Sequence, residues 1–362
     1  MKTDNILNKA IDGVFLTTDE AMLLYDDVST SELMAAANFV RYKIHKQNIV
    51  TWLIDRNVNY SNVCISGCKF CNFYRSVNHK DAYITTDSEY DKKINELIEA
   101  GGNQLLLQGG LHPKLGIEFY ETLFKSLKTR FPNLKLHALG PPEIVHISKI
   151  SNLTYKETLV RLIKAGLDSL PGAGAEILSD RVRKILSPVK ANTAEWLDVM
   201  HEAHKLNLIT SATMMFGHIE TRAERIEHIL KIRYLQDKKP KDSKGFISFI
   251  PWTFQGKDTV LQKNYNLPKS VSSEEYIRLI AMSRLLLPNI DNIQASWLTV
   301  GKDVGQVCLH AGANDFGSIM MEENVVSSAG SNHKFDVQGI KSAISEAGFV
   351  PKQRNQRFEI LD

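Results

Sequence analysis

The chain alternates between two patterns. Short apolar runs recur from about residue 58 to residue 318, each followed by a turn rich in Gly or Pro and then by an amphipathic stretch. The strand-like runs fall at 58–63, 104–108 (QLLLQ), 135–139 (KLHAL), 167–170 (LDSL), 208–213 (LITSAT), 246–250 (FISFI) and 293–298 (IQASWL), with a weaker eighth near 315–318. Most of them are apolar throughout, as parallel strands covered by helices are. Helix starts lie between them: Thr154-x-x-Glu157, Thr221-x-x-Glu224 and Ser272-x-x-Glu275 fit the reciprocal N-terminal cap. Over 89–100, Tyr90, Ile94, Leu97 and Ile98 mark one helical face, which stops at Gly101-Gly102. About eight such units predict an α/β fold, a TIM-type (β/α) barrel, complete or nearly so. Thr17-x-x-Glu20 and Ser29-x-x-Glu32 predict two helices in an N-terminal helical extension over 1–50, which leaves 51–362 as the barrel with C-terminal elements closing it. A doubly wound sheet is the alternative, but its nucleotide fingerprint is missing: PGAGAE at 171–176 has Glu176 near the place of the third glycine.

Hydrophobic residues make up 43% of the chain, ample for a large core, and 44 basic against 41 acidic residues give a net charge of +3. No run of like charge suggests a nucleic-acid arm or a membrane patch, and DKKPKDSK at 237–244 reads as a solvated loop. No apolar run approaches the ~20 residues of a membrane span. The start, MKTDNILNKAIDG, lacks the features of a signal peptide. The expectation is a cytoplasmic protein with no nucleic-acid or membrane partner. Thiols stay reduced there, so clustered cysteines point to metal or catalysis before disulfides.

Three of the four cysteines crowd into NVCISGCKFCNFYR, at Cys64-x3-Cys68-x2-Cys71. A structural zinc site needs four ligands, usually in two pairs, and the remaining cysteine, Cys308, is far away and in no paired motif; it reads as a small buried residue. A histidine completing a zinc site is the alternative. Three thiolates on a short loop instead suit three irons of a four-iron, four-sulfur (4Fe-4S) cubane, whose fourth iron is left open to a non-protein ligand. The loop follows a strand, which puts it at the C-terminal mouth of a barrel, the face where such folds carry their sites. A closed electron carrier would supply a fourth protein ligand, and a binding module without turnover would not need motifs after five strands. HEAHK at 201–205 is set aside: His201 and His204 are spaced i,i+3, whereas the zinc-protease motif needs i,i+4.

Cys-x3-Cys-x2-Cys with an aromatic residue, Phe70, just before the last cysteine resembles the radical S-adenosylmethionine superfamily. The resemblance implies that Cys64, Cys68 and Cys71 hold a 4Fe-4S cluster and that S-adenosylmethionine chelates the open iron and yields a 5′-deoxyadenosyl radical on reduction. It implies a cofactor pocket of Phe70, of Gln108, Gly109 and Gly110 in QGGLHP after the second strand, and of Glu143 in HALGPPEI after the third. Glu176 and Arg181 in SLPGAGAEILSDRVR, and Met215 in TMMFGHIE, complete it. The alternative for Gly109-Gly110 is an ordinary turn, for Glu143 a helix N-terminus, and for Arg181 an ion pair at a helix start.

HALGPPEI, AGLDSLPGAGAEIL, FIPWTFQ and QASWLTVGKDVGQ are similar to the futalosine branch of the superfamily, which serves menaquinone biosynthesis. That resemblance implies a cyclase: hydrogen abstraction from C4′ of the sugar of a small nucleoside-derived substrate, then ring closure onto its benzoate. An aminodeoxyfutalosine synthase, or another member of the group, is the alternative. A reducing donor such as flavodoxin or ferredoxin is implied. Candidate proton acceptors at the mouth are Tyr74, His218, Glu220 and Asp315. Asp291 and Asn314 are candidates for sugar hydroxyls; Arg75, His112 or His310 for the substrate carboxylate. Trp252 and Trp297 are candidates to wall the aromatic ring, and each is equally a core residue.

Overall fold

A computed structural model describes residues 2–268, 270–324, 327–330 and 333–361. Seven parallel strands form one curled sheet in sequence order: β2 (Asp55–Asn59), β3 (Gln104–Gln108), β4 (Lys135–Ala138), β5 (Leu167–Leu170), β6 (Ile209–Phe216), β7 (Phe246–Thr253) and β8 (Asn292–Ile293). A second parallel sheet places β1 (Ile49–Leu53) between β10 (Val350–Gln353) and β9 (Asp315–Ser318). β1 and β2 are two halves of one run that bends at Ile54. β9 lies across the gap between the ends of the seven-stranded sheet. It meets β8's extension through the Gln294–Asp315 bridge, and Met321, three residues past its end, donates its N–H to the Asp55 carbonyl at 3.2 Å. The result is the expected (β/α) barrel, nearly complete and closed by a splayed seam.

The expected strands are present with two shifts. The first was placed at 58–63 but runs over 55–59, because DRNVN is not an apolar run. The seventh, expected over 293–298, keeps only two residues before the chain turns into the short helix Trp297–Val300. Residues 1–50 hold three helices, one more than the two capping signals marked: α1 (Lys2–Ile11), α2 (Thr18–Asp27) and α3 (Thr30–Ile44). The caps at Thr17 and Ser29 form as expected, as do those at Thr154 and Thr221, while Ser272 makes only its half of the box. The extension packs on the barrel: Tyr25 donates to Glu275, and Arg278 reaches the Tyr25 carbonyl. No described helix is long and apolar enough to cross a membrane.

Strand side chains alternate between two environments. Val58, Leu105, Leu107, Leu136 and Ala138 point outward and are wholly buried beneath helices. Asp55, Asn57, Asn59, Gln104, Gln108, His137, Ser169, Ser211, Thr213 and Ser248 point inward and line a lumen. Barrels of this kind normally fill the interior with branched apolar side chains; here Leu53, Leu106, Ile209, Ile247 and Ile250 share the lumen with this set of polar ones.

Candidate active site

The loop after β2 carries the three cysteines. Its base is closed where Val63 bridges Arg75 and the Cys64 N–H donates to the Arg75 carbonyl at 3.0 Å. The Arg75 guanidinium then folds back onto the carbonyls of Asn72, Phe73 and Tyr74 at 2.9–3.2 Å. The loop is tied outward as well: Lys69 N–H donates to Leu186, and Leu261 N–H to the Lys69 carbonyl. Ser66 Oγ sits 3.0 Å from Cys64 Sγ and 3.2 Å from Cys68 Sγ, and the Leu111 N–H points at Cys64 Sγ from 3.2 Å. Burial pushes the Cys68 thiol up and Cys71 to about 11, so metal has to displace their protons.

The donor set fits a cluster. All three thiols line the same cavity, and a backbone N–H and a hydroxyl are aimed at sulfur, the contacts that stabilise thiolate on iron. Among the described residues no three His, Cys, Asp or Glu side chains converge on one ion-sized point. A cubane takes its cysteines on separate irons, so it does not require that convergence; a single zinc ion does.

Gly109 and Gly110 serve the loop. A Cβ on Gly110 would lie 2.1 Å from the Val63 carbonyl oxygen and 2.7 Å from Cys64 Cβ; one on Gly109 would strike the Tyr60 ring at 2.7 Å. Only glycine lets β3's extension lie flat against the cysteine loop. Glu143 is the third residue of the helix Pro141–Ser151 and is buried, unlike an ordinary helix-start carboxylate. It accepts from Gly109 N–H at 3.1 Å and Tyr60 OH at 3.0 Å, and burial raises its pKa to about 7. Glu176, at φ 41°, pairs with Lys190 Nζ at 2.7 Å. Burial opposes its ionisation, but Lys190 and Arg183 outweigh burial and hold the carboxyl below its usual range. Lys190 also stands 5.6 Å over the Phe70 ring. Arg183 grips the carbonyls of Ala175, Gly174 and Ala191 and so builds the glycine loop around Glu176.

These groups face a cavity of about 420 Å³ that runs from the cysteine loop to the barrel floor, within the usual range of small-molecule sites. Cys64, Cys68, Cys71, Phe70, Tyr74, Gln108, Gly109, Gly110, Glu143, Glu176, Trp252 and Trp297 all line it. Trp297 also packs on Phe335 at 4.4 Å, so it is wall and core at once.

The other candidates lie elsewhere. Asp291 and Asn314 precede β8 and β9, His310 lies just upstream of β9, and Asp315 is its first residue, so all four fall at the end of the barrel opposite the mouth. Asp315 gives both oxygens to Arg354. Asn314 accepts from Arg284 and from Ile293 N–H. His310 Nε2 meets the Ala347 carbonyl, and Asp291 offers its own carbonyl to His45 and Arg284. Glu220 is no free base: it accepts from the backbone N–H groups of Gly217 and His218 and from Arg225 Nε, with His218 Nδ1 2.8 Å away. Burial alone would raise its pKa, but His218 and Arg225 hold it at about 2. This cluster locks the turn after β6, and Met215 spends its N–H on the Glu176 carbonyl. Arg181 pairs with Glu224 at the surface, and Arg75 is occupied as the loop clamp. His112 is buried behind the glycines, where its Nδ1 accepts from Lys114 N–H. Tyr60, Lys190 and the inward polar residues other than Gln108 escaped sequence reasoning. A signal for the last was present: Asp55, Asn57 and Asn59 alternate within DRNVN, and Gln104 and Gln108 bracket QLLLQ on one face.

Residues 58–232 match the radical SAM superfamily model and 243–362 the CofH/MqnC C-terminal region. A Halalkalibacterium halodurans protein named cyclic dehypoxanthine futalosine synthase is 41% identical, covering 100% of this chain and 95% of the relative. A Streptomyces coelicolor protein of the same name is 43% identical, covering 98% and 88%. A Methanosarcina mazei 5-amino-6-(D-ribitylamino)uracil–L-tyrosine 4-hydroxyphenyl transferase is 39% identical, covering 94% and 90%. Among solved structures, methylornithine synthase (PylB) superposes with a TM-score of 0.69 at 20% identity, covering 96% of this chain and 97% of that one. The FeFe-hydrogenase maturase HydG from Carboxydothermus hydrogenoformans does so at 0.71 and 15%, covering 98% and 81%; both share the fold. Full-length identity of this order, over a barrel whose mouth carries the three-cysteine loop, means that the chain belongs to the radical SAM superfamily, in the branch marked by the CofH/MqnC C-terminal region.

Proposed function

We propose that the chain is a radical SAM cyclase converting dehypoxanthine futalosine to cyclic dehypoxanthinyl futalosine in the futalosine route to menaquinone. The observation that carries this reading is the 41% and 43% identity, over nearly the whole chain, to two proteins bearing that activity in their names. Cys64, Cys68 and Cys71 hold the 4Fe-4S cluster, and the sulfur-directed N–H of Leu111 steadies it. When bound, cluster and S-adenosylmethionine supply the 5′-deoxyadenosyl radical, with a flavodoxin- or ferredoxin-type protein as electron donor. Glu143 and Glu176 sit beside the cysteine loop, where a carboxylate meets an amine or ribose hydroxyls. Trp252 also lines the lumen, suited to the substrate's aromatic ring. The buried lumen, with Asn57, Gln104 and Ser169 almost inaccessible, limits bulk water and holds the sugar and the ring together.

The 39% identity to the archaeal hydroxyphenyl transferase favours that activity as the second reading. One experiment separates them: anaerobic turnover of the reconstituted, reduced protein with S-adenosylmethionine and dehypoxanthine futalosine, read by mass spectrometry. Deoxyadenosine with a product lighter than substrate by two hydrogens establishes the cyclase. Deoxyadenosine without that product moves the assignment to a sibling substrate, with L-tyrosine and the ribityl-uracil next to be supplied. No deoxyadenosine from cluster-bearing protein overturns radical chemistry altogether.

A further inference from the structure

The lumen floor holds polar atoms that the fold does not satisfy. Asn57 Oδ1 and Gln104 Oε1 are buried without a hydrogen-bond partner, and so is Gln356 Oε1 on the C-terminal segment. Asn57 and Gln104 are 5% and 6% exposed, and all three residues line the cavity. A buried acceptor left unpaired is costly, and native folds seldom keep one without a use for it. Three from separate elements, facing one space, are a built feature.

Their placement and polarity are defined. Strand register sets Asn57 opposite Leu106, and Leu106 opposite His137, which pairs with Ser169, so these inward residues share a level; Gln104 lies one step below. Gln104 Nε2 donates to Asp55 Oδ2 at 3.2 Å, which turns its carbonyl oxygen away as the free end. Gln356 Nε2 donates to Ser169 Oγ at 2.7 Å, and that hydroxyl lies 2.7 Å from His137 Nδ1. Burial keeps His137 neutral, with a pKa near 4, and Ser169 Oγ joins it to the Gln356 amide, from which it accepts. Gln356 then also presents a carbonyl oxygen. Among the described residues lining this level, the one cation, Arg354, is spent on Asp315. Apart from Asp55, whose carboxyl oxygens accept from Ser318 Oγ and Gln104 Nε2, the acceptors here are uncharged amide oxygens; they suit hydroxyl donors and give a carboxylate nothing.

We propose that Asn57, Gln104 and Gln356 form a discriminating subsite for the hydroxyl groups of the substrate's sugar, turning that hydroxyl edge toward the floor and leaving C4′ on the side that faces the cysteine loop. This rests on the functional reading above. The test measures binding of dehypoxanthine futalosine, and of analogues each lacking one sugar hydroxyl, by quenching of tryptophan fluorescence in the full-length protein, alongside KM and kcat. At least one deoxy analogue is expected to bind the wild-type protein roughly 10- to 100-fold more weakly than the substrate. In Asn57→Leu and Gln356→Leu that gap closes, KM rises, and iron content stays at the wild-type level. If every analogue binds wild-type protein within about twofold of the substrate, the subsite is overturned even where turnover is intact; this arm needs no variant to fold. Persistence of the full gap in both variants overturns it too. If wild-type protein neither binds nor turns over the substrate, the functional reading itself fails.

Discussion

Arg354 grips Asp315 with two nitrogens, Nε 2.6 Å from Oδ2 and Nη2 3.0 Å from Oδ1. The same carboxylate accepts from Thr51 Oγ1 at 2.6 Å and Gly317 N–H at 3.0 Å. One buried ion thus joins β1, β9 and the C-terminal segment at the seam of the barrel, with side chains 6% and 0% exposed. Arg354→Met is expected to lower stability by about 3–5 kcal/mol, because it strands a buried charge. Arg354→Met with Asp315→Leu should recover much of that loss, since it removes both charges. Urea unfolding of the three proteins checks this; a single variant within about 1 kcal/mol of wild type would show that the seam does not depend on the pair.

Gly110 and Gly67 make a contrasting pair. Gly67 lies in the cysteine loop at φ +57° with nothing within 4 Å of an added Cβ, whereas a Cβ on Gly110 meets the Val63 carbonyl at 2.1 Å. Gly67→Ala carries only the left-handed backbone cost, about 1 kcal/mol, and should keep its iron. Gly110→Ala has to push the backbone bearing Cys64 aside and should lose most of it. Iron content after anaerobic reconstitution decides, and equal loading of the two variants would refute the steric account.

The barrel was legible because strand–turn–helix repetition is written in local periodicity, and the cysteine loop because three thiols sit within eight residues. Roles that depend on which end of a strand a residue occupies were not. Asp291, His310, Asn314 and Asp315 look like mouth residues in a linear reading, but each sits before a strand or at its start and so falls on the floor side. Glu220 reads as a base until its oxygens are found committed to Gly217, His218 and Arg225. Lys190 lies in the loop after a short helix, where nothing local indicates that it returns to Glu176. The polar lumen was written in DRNVN, yet a search for apolar strands passes over it.

Cys308 tests whether burial alone accounts for the fourth thiol. It is wholly buried, burial pushes its pKa far up, and it lies outside the cavity. Cys308→Ala should leave cluster absorbance and turnover unchanged and cost about 1 kcal/mol for the small cavity. Cys68→Ala should abolish both cluster and deoxyadenosine formation. Retained cleavage of S-adenosylmethionine in the Cys68 variant would remove the cysteine loop from the chemistry.

Glu143 gives the protein a pH dependence with a definite sign. Burial raises its folded pKa to about 7 from the ordinary 4.5. The native state therefore holds a proton that the unfolded chain releases between those values, and stability falls as pH rises through that window. The contribution is fully present below about pH 4.5 and lost above about 7, on the order of 3 kcal/mol in all. Glu143→Gln keeps a carbonyl acceptor for Gly109 N–H but has no proton to lose. The stability difference, variant minus wild type, should grow from pH 5 to pH 8. Denaturant unfolding at half-unit intervals measures it, and a difference that stays flat across that range would mean that Glu143 is ionised in the fold throughout.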